Sequence, residues 1–210
     1  MARTVVGYNG ANGINNMASA SSTGSVEAVT GLPIATGLVP GAFFELSASE
    51  AALYSYQLAG VYTWGQLYDG VFMWVQLDPA VSTDPIPLGT VLSWLQAGET
   101  TNVFPQVTTV TANNTDFAGV TIDSNFGKSH PYAFIQCQGK VAIQYDNSAT
   151  FGHIGDYASI STGTLGSATC SGAVSTAATA LQLGTSLVTS GTPGTGSRIL
   201  TRVTRAISRF

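Results

Sequence analysis

Charge is the scarcest thing in this chain. Asp, Glu, Lys and Arg make up 9% of its 210 residues, against about 25% in an ordinary globular domain. A surface with so few ions must be built from hydroxyls, amides and backbone. Salt then has few ion pairs to screen, and little net charge keeps copies apart. This suits a protein that works attached to others; a salt-tolerant extracellular monomer is the plainer alternative. Cysteine is nearly missing too. Cys137 and Cys170 are too few and too far apart for a disulfide framework or a zinc site. Both stand in strand-like surroundings and read as free, buried or half-buried thiols, with a bond between them left open. No run of 18 apolar residues occurs, so no membrane span is expected. The opening stretch MARTVVGYNGANGINNM has no apolar core and no cleavage motif. The expectation is therefore a chain made and folded in a cytoplasm.

Residues with reaction chemistry are equally sparse. His130 precedes a proline and reads as a turn, while His153 sits in the Gly-rich link FGHIGDY. Cys137, His153 and Asp156 contain the residue types of a nucleophile, base and orienting acid. No nucleophile elbow or other signature accompanies them, so non-enzymatic function is expected. The Gly-rich GTPGTGS at 191–197 lacks the lysine and spacing of a phosphate loop. No paired carboxylates, metal-ligand spacing or calcium loop appears, and no cofactor is expected. Asn113-Asn114-Thr115 matches a glycosylation acceptor by chance composition alone.

What the chain has is Ser, Thr and Gly (21, 26 and 24 residues) and short runs of β-branched and aromatic residues between turn formers. Its 44% hydrophobic content excludes a disordered chain. Its length fits one large β domain. The runs predict strands within 30–46 and two aromatic strands within 60–80, broken at Gly65 and at Asp69-Gly70, a hairpin signal. Asp78-Pro79 ends the second. Further strands are expected after Gly89, at 104–114, 116–123, 129–137, 139–146, 153–162, 178–190 and 197–205. One helix is expected over 48–59, because Ser47 and Glu50 have capping-box spacing and Gly60 can stop it. The fold class is all-β: a compact β-sandwich or β-barrel-like single domain over 1–210, with hairpins. Residues 41–100 hold all three tryptophans and four of the eight tyrosines. The stretch 47–104 reads as an aromatic-rich inserted subdomain or as one face of one core. Exposed Trp64, Trp74 or Trp94 would suit a carbohydrate-binding module, although aromatics more often anchor cores and interfaces.

Four of the seven basic residues, Arg198, Arg202, Arg205 and Arg209, crowd the last 13 positions. Residues 1–197 carry three cations against all 11 acids, a formal −8. A strand over 197–205 is favoured by Ile, Thr and Val, although the arginine spacing of 4, 3 and 4 also lines a helical face. The acidic whole argues against nucleic acid as partner. An acidic protein surface suits the arginines better. These four arginines and the aromatic segment are the expected contacts with a partner, and deleting residues 198–210 is expected to abolish binding while leaving the body folded.

The run DFAGVTIDSNFGKSHPYAFIQCQGKVAIQYDNSATFGHIGDYASIST, from Asp116 onward, has a distinctive cadence. Gly-Val-x-Ile is followed by a Gly-Lys turn, a strand, Gly-Lys-Val and Ile-Gly-Asp-Tyr. It resembles the core of the head decoration, or capsid cement, proteins of tailed bacteriophages. SGAVSTAATALQLGTSLVTSGTPGTGSRILTRVTRAI resembles their ending and GLPIATGLVPGAFFEL their opening. The resemblance covers about half of the chain, and 47–104 departs from it. It implies a non-enzymatic virion protein, synthesised in the host cytoplasm and bound to the outer capsid surface. The implied partners are the major capsid protein and further copies of the chain, with a homotrimer favoured. It implies no catalytic residues. Tail tube, tail fibre or adhesin subunits are the nearest alternatives.

Overall fold

The structure is a computed structural model that describes residues 41, 43–57, 67–95, 106–109, 116–147, 149–150, 153–161, 164, 166–170, 182–187 and 198–204. Within these the chain is all-β. The strands are β1 (Phe43–Leu46), β2 (Gly70–Leu77), β3 (Val91–Trp94), β4 (Gln106–Thr109) and β5 (Phe117–Thr121). They continue with β6 (Tyr132–Gln144), β7 (Tyr157–Ile160), β8 (Ala168–Thr169), β9 (Gln182–Ser186) and β10 (Arg198–Val203). The one helix among the described residues is α1 (Ala48–Gln57). It starts at the expected capping box. The Ser47 amide donates to the Glu50 carboxylate at 2.8 Å, and the Glu50 amide donates to Ser47 Oγ at 3.4 Å. Gly60, Gly65 and Trp64 lie outside the described residues.

All ten strands belong to one sheet, in the order β1-β2-β4-β3-β5-β6-β10-β9-β7-β8, and β2 also pairs with β6. That extra pairing closes β2, β4, β3, β5 and β6 into a five-stranded barrel. Of the two expected architectures, the barrel is therefore the better description of this half. The strands β10, β9, β7 and β8 continue from β6 as an open flanking sheet. Side-chain alternation along the strands divides the core in two. Met73, Val75, Leu77, Leu92, Trp94, Val107, Ala118, Ala133, Ile135 and Cys137 point to one side and fill the barrel. Phe72, Trp74, Val91, Phe134, Val141, Ile143, Tyr145, Ala158, Leu183 and Val203 form a second cluster, between the barrel wall and the flanking sheet. In that second cluster Trp74 and Phe134, paired across β2 and β6, meet edge-to-face at 5.0 Å.

The two strands expected at 129–137 and 139–146 are one strand of 13 residues, β6. In place of a break before Gly139 there is a bulge at Cys137. Val71 pairs with Gln138 but Phe72 with Gln136, so β6 carries one extra residue there. Gly139 takes φ +99°, which favours glycine. The buried Gln136 amide lies beside the carbonyls of Asp69, Gln138 and Lys140, at 3.3, 3.3 and 2.7 Å. A one-residue insertion flips the face of every later side chain. Ile135 and Cys137 accordingly enter the barrel, whereas Val141 and Ile143 join the second cluster.

Asp69-Gly70 is not the centre of a tight hairpin. Gly70 is the first residue of β2, paired with Leu46 on one side and Gly139 on the other. Glycine is needed there for close approach: a Cβ would lie 2.0 Å from the Gln138 carbonyl oxygen. The aromatic segment supplies β2 and β3, and both are members of the barrel. β2 ends as expected, where Asp78 accepts a hydrogen bond from the Ala80 amide at 2.9 Å. The loops 78–90 and 122–131 are stitched together. Ile86 N donates to Phe126 O at 2.7 Å, Lys128 N donates to Thr83 O at 3.2 Å, and Asp84 accepts from both the amide and the hydroxyl of Ser129. This clasp inserts Ile86 and Phe126 into the barrel core.

Candidate docking surface

β10 is a strand, as its β-branched content favours. It lies inside the sheet, antiparallel to β6 on one side and to β9 on the other. The expectation that residues 198–210 are removable is thereby corrected, because 198–203 close the gap between barrel and flanking sheet. Alternation gives β10 two faces. Thr201 and Val203 are buried against the second cluster, and the Thr201 and Tyr145 hydroxyls are hydrogen-bonded at 2.9 Å. Burial pushes the Tyr145 phenol pKa up, so it stays a neutral partner in that bond. Arg198 and Arg202 point the other way and are exposed. Arg205 and Arg209 lie outside the described residues.

Strand register builds a row on that outward face. Lys140 on β6 pairs with Arg202 on β10, Arg202 with Thr185 on β9, and Thr185 with Tyr157 on β7. Directly paired residues share a face, so the four side chains stand side by side. The next row in from Arg202, made of Val203, Gly184 and Ala158, is buried, which confirms the alternation. Gly184 marks a close approach: a Cβ there would fall 1.9 Å from the Arg202 carbonyl oxygen. Arg198 stands four residues before Arg202 on the same face. Its Cδ would lie 3.0 Å from a Cβ built on Gly89, so the stem of the side chain rests against bare backbone. Lys140 is partnered by Asp69 at 3.2 Å. Arg198 and Arg202 have no carboxylate partner among the described residues.

The same strands display Tyr157, 41% exposed, and the turn before it displays Ile154, 60% exposed. That turn is held firmly. His153 N donates to the Asp156 carboxylate at 2.9 Å, Gly155 N to Ser186 O at 2.9 Å, and Ser186 N to Asp156 O at 2.8 Å. Sequence reasoning picked out the arginines but not Tyr157, Thr185 or Lys140. In Tyr-Ala-Ser-Ile the period-2 pattern already turns Tyr157 away from Ala158 and Ile160. Only the register, which no single strand reveals, sets it beside Thr185 and Arg202.

The residues with reaction chemistry are not assembled. Cys137 is inside the barrel, and burial pushes its thiol up to about 12, far from the thiolate that nucleophilic attack requires. His153 is exposed in the turn before β7, and Asp156 is engaged with its backbone. Cys170 is buried in the other cluster, and both thiols are free. Trp74 and Trp94 are buried core residues, so neither is a platform for sugar stacking. No described helix is long and apolar enough to cross a membrane. Searches of protein-family models, curated proteins and solved structures find no match to this chain.

Proposed function

We propose that this chain is a structural virion protein that binds the outer surface of a phage capsid and bridges neighbouring capsid subunits, working as a homo-oligomer with a trimer favoured. The observation that carries the reading is the cationic outward face of the flanking sheet. Two arginines without a carboxylate partner among the described residues stand on a chain of net charge −4, in which Lys128 is the one other fully exposed cation among the described residues. Arginine pairs with carboxylates in a fixed fork, so the face suits an acidic protein surface. The resemblance of residues 116–162 to capsid decoration proteins supports the same reading, as does a charge-poor, hydroxyl-rich β framework. Many weak contacts repeated over a symmetric shell add up through avidity.

The test is co-sedimentation of the full chain with shells assembled from the major capsid protein of the virion it is proposed to decorate. Saturable binding at a fixed ratio of chain to capsid subunit is expected. Absence of binding, or tubes and fibres formed by the purified chain in negative stain, would replace this reading with a tail component.

A further inference from the structure

We infer that the outward face of β6, β10, β9 and β7 is a two-part docking surface for an acidic protein partner, in which Arg198 and Arg202 meet carboxylates while Tyr157 and Ile154 enter an apolar recess. The inference rests on the shell-docking reading above and names the residues through which it works. Among the described residues only three large hydrophobic side chains are exposed, Phe43, Ile154 and Tyr157. Two of those three belong to this one stretch, three residues apart. Tyrosine and arginine are the side chains that carry most binding energy at protein interfaces. Here both kinds stand on strands rather than on a loop, and the turn bearing Ile154 is tied to β9 by two backbone hydrogen bonds. A surface ordered in advance loses little entropy on binding.

The dimensions say how strongly it can bind. Lys140 to Tyr157 spans three strand spacings of about 4.8 Å, or about 14 Å, and Arg198 to Arg202 spans about 13 Å. A patch of roughly 200 Å² is well below the ~800 Å² each partner contributes to a standard interface. One site alone is therefore weak, and the surface works where sites repeat. Charge chooses the occupant. Lys140 is held by Asp69, which leaves the two arginines to attract acid. Two arginines on a chain of net charge −4 are too few for a nucleic-acid footprint. The same arginines would face each other if this surface packed on itself about a two-fold axis, which disfavours that arrangement.

Three full-length variants test it on the shells described above: Arg198→Glu/Arg202→Glu, Tyr157→Ala/Ile154→Ser, and Arg198→Lys/Arg202→Lys. The first should weaken binding by more than about tenfold and flatten its salt dependence. The second should weaken it by about tenfold with the salt dependence unchanged. The third should recover part of the loss seen in the first. Ile154→Ser alone, at a turn tip with open space around Gly155, serves if the tyrosine variant does not fold. If the wild type binds and the Tyr157→Ala/Ile154→Ser variant binds equally well, the two-part surface is wrong while shell docking stands. If the wild type does not bind shells, both fall. If these changes instead abolish self-association of the free chain, or binding to duplex DNA, the occupant is a second copy or a nucleic acid and the inference is overturned.

Discussion

The barrel interior and the outward face of the flanking sheet share one strand and obey opposite rules. β6 runs through both. Up to Cys137 its odd-numbered residues fill the barrel; beyond the bulge at Cys137 its even-numbered residues, Lys140 to Gln144, line the outer face. Inside, the cluster is of buried apolar side chains drawn from all five strands. Outside, the residues are a lysine, two arginines, a threonine and a tyrosine, held in register by backbone alone. The interior holds the fold, and a change there is a change in stability. The outer face contributes little to stability, which leaves its residues free to be specified by a partner. A single extra residue in β6 separates the two regimes.

Changes that break this comparison rank from the strand down to single charges. Deleting residues 198–210 takes a strand out of the middle of the sheet and exposes the edges of β6 and β9. Loss of the cooperative thermal transition in circular dichroism is expected, rather than a folded body that has lost binding. Phe126→Ala empties a fully buried site in the barrel. It should cost about 3–5 kcal/mol in denaturant unfolding, with no change in the outer face. Tyr145→Phe removes the hydroxyl bonded to Thr201 between the two regions. It should cost about 1 kcal/mol by the same measurement.

The clasp between the loops 78–90 and 122–131 gives a smaller effect that depends on pH. The Ser129 hydroxyl bound to Asp84 holds its carboxyl below the usual carboxylate range, with the Ser129 amide, His130 and Lys128 adding to it. A carboxyl lowered in the folded state stabilises above its unfolded pKa, and that contribution disappears as the pH falls through the lowered value. Melting temperature should therefore drop on acidification, and Asp84→Asn should remove part of that drop while leaving the neutral-pH fold intact. An unchanged acid profile in Asp84→Asn would mean that the clasp is carried by its backbone hydrogen bonds.

Much of the fold was legible because its signals are local. Ser47 and Glu50 announce the helix start through hydrogen bonds within four residues. β-branched residues announce β4 and β10, and short apolar or aromatic runs between turn formers announce β3 and β5. What could not be read depends on contacts distant in sequence. Gly139 looks like a turn until β2 is laid beside it, with Gly70 opposite. Closure of the barrel rests on the pairing of β2 with β6, some 60 residues apart. The arginines stood out by charge, but their neighbours did not. Lys140 and Tyr157 join Arg202 only through the register of four strands drawn from distant parts of the chain. The same register explains why β10 is not an appendage: all six of its residues pair with β6, and Thr201, Arg202 and Val203 pair with β9 as well.

The most direct test pairs two readouts on one variant, Arg198→Glu/Arg202→Glu: its thermal unfolding and its equilibrium binding to capsid shells. Exposed side chains of this kind change stability by no more than about 0.5 kcal/mol, so the melt should match the wild type while shell binding weakens by more than about tenfold. An unchanged melt together with undiminished binding would contradict the assignment of this face as the docking surface.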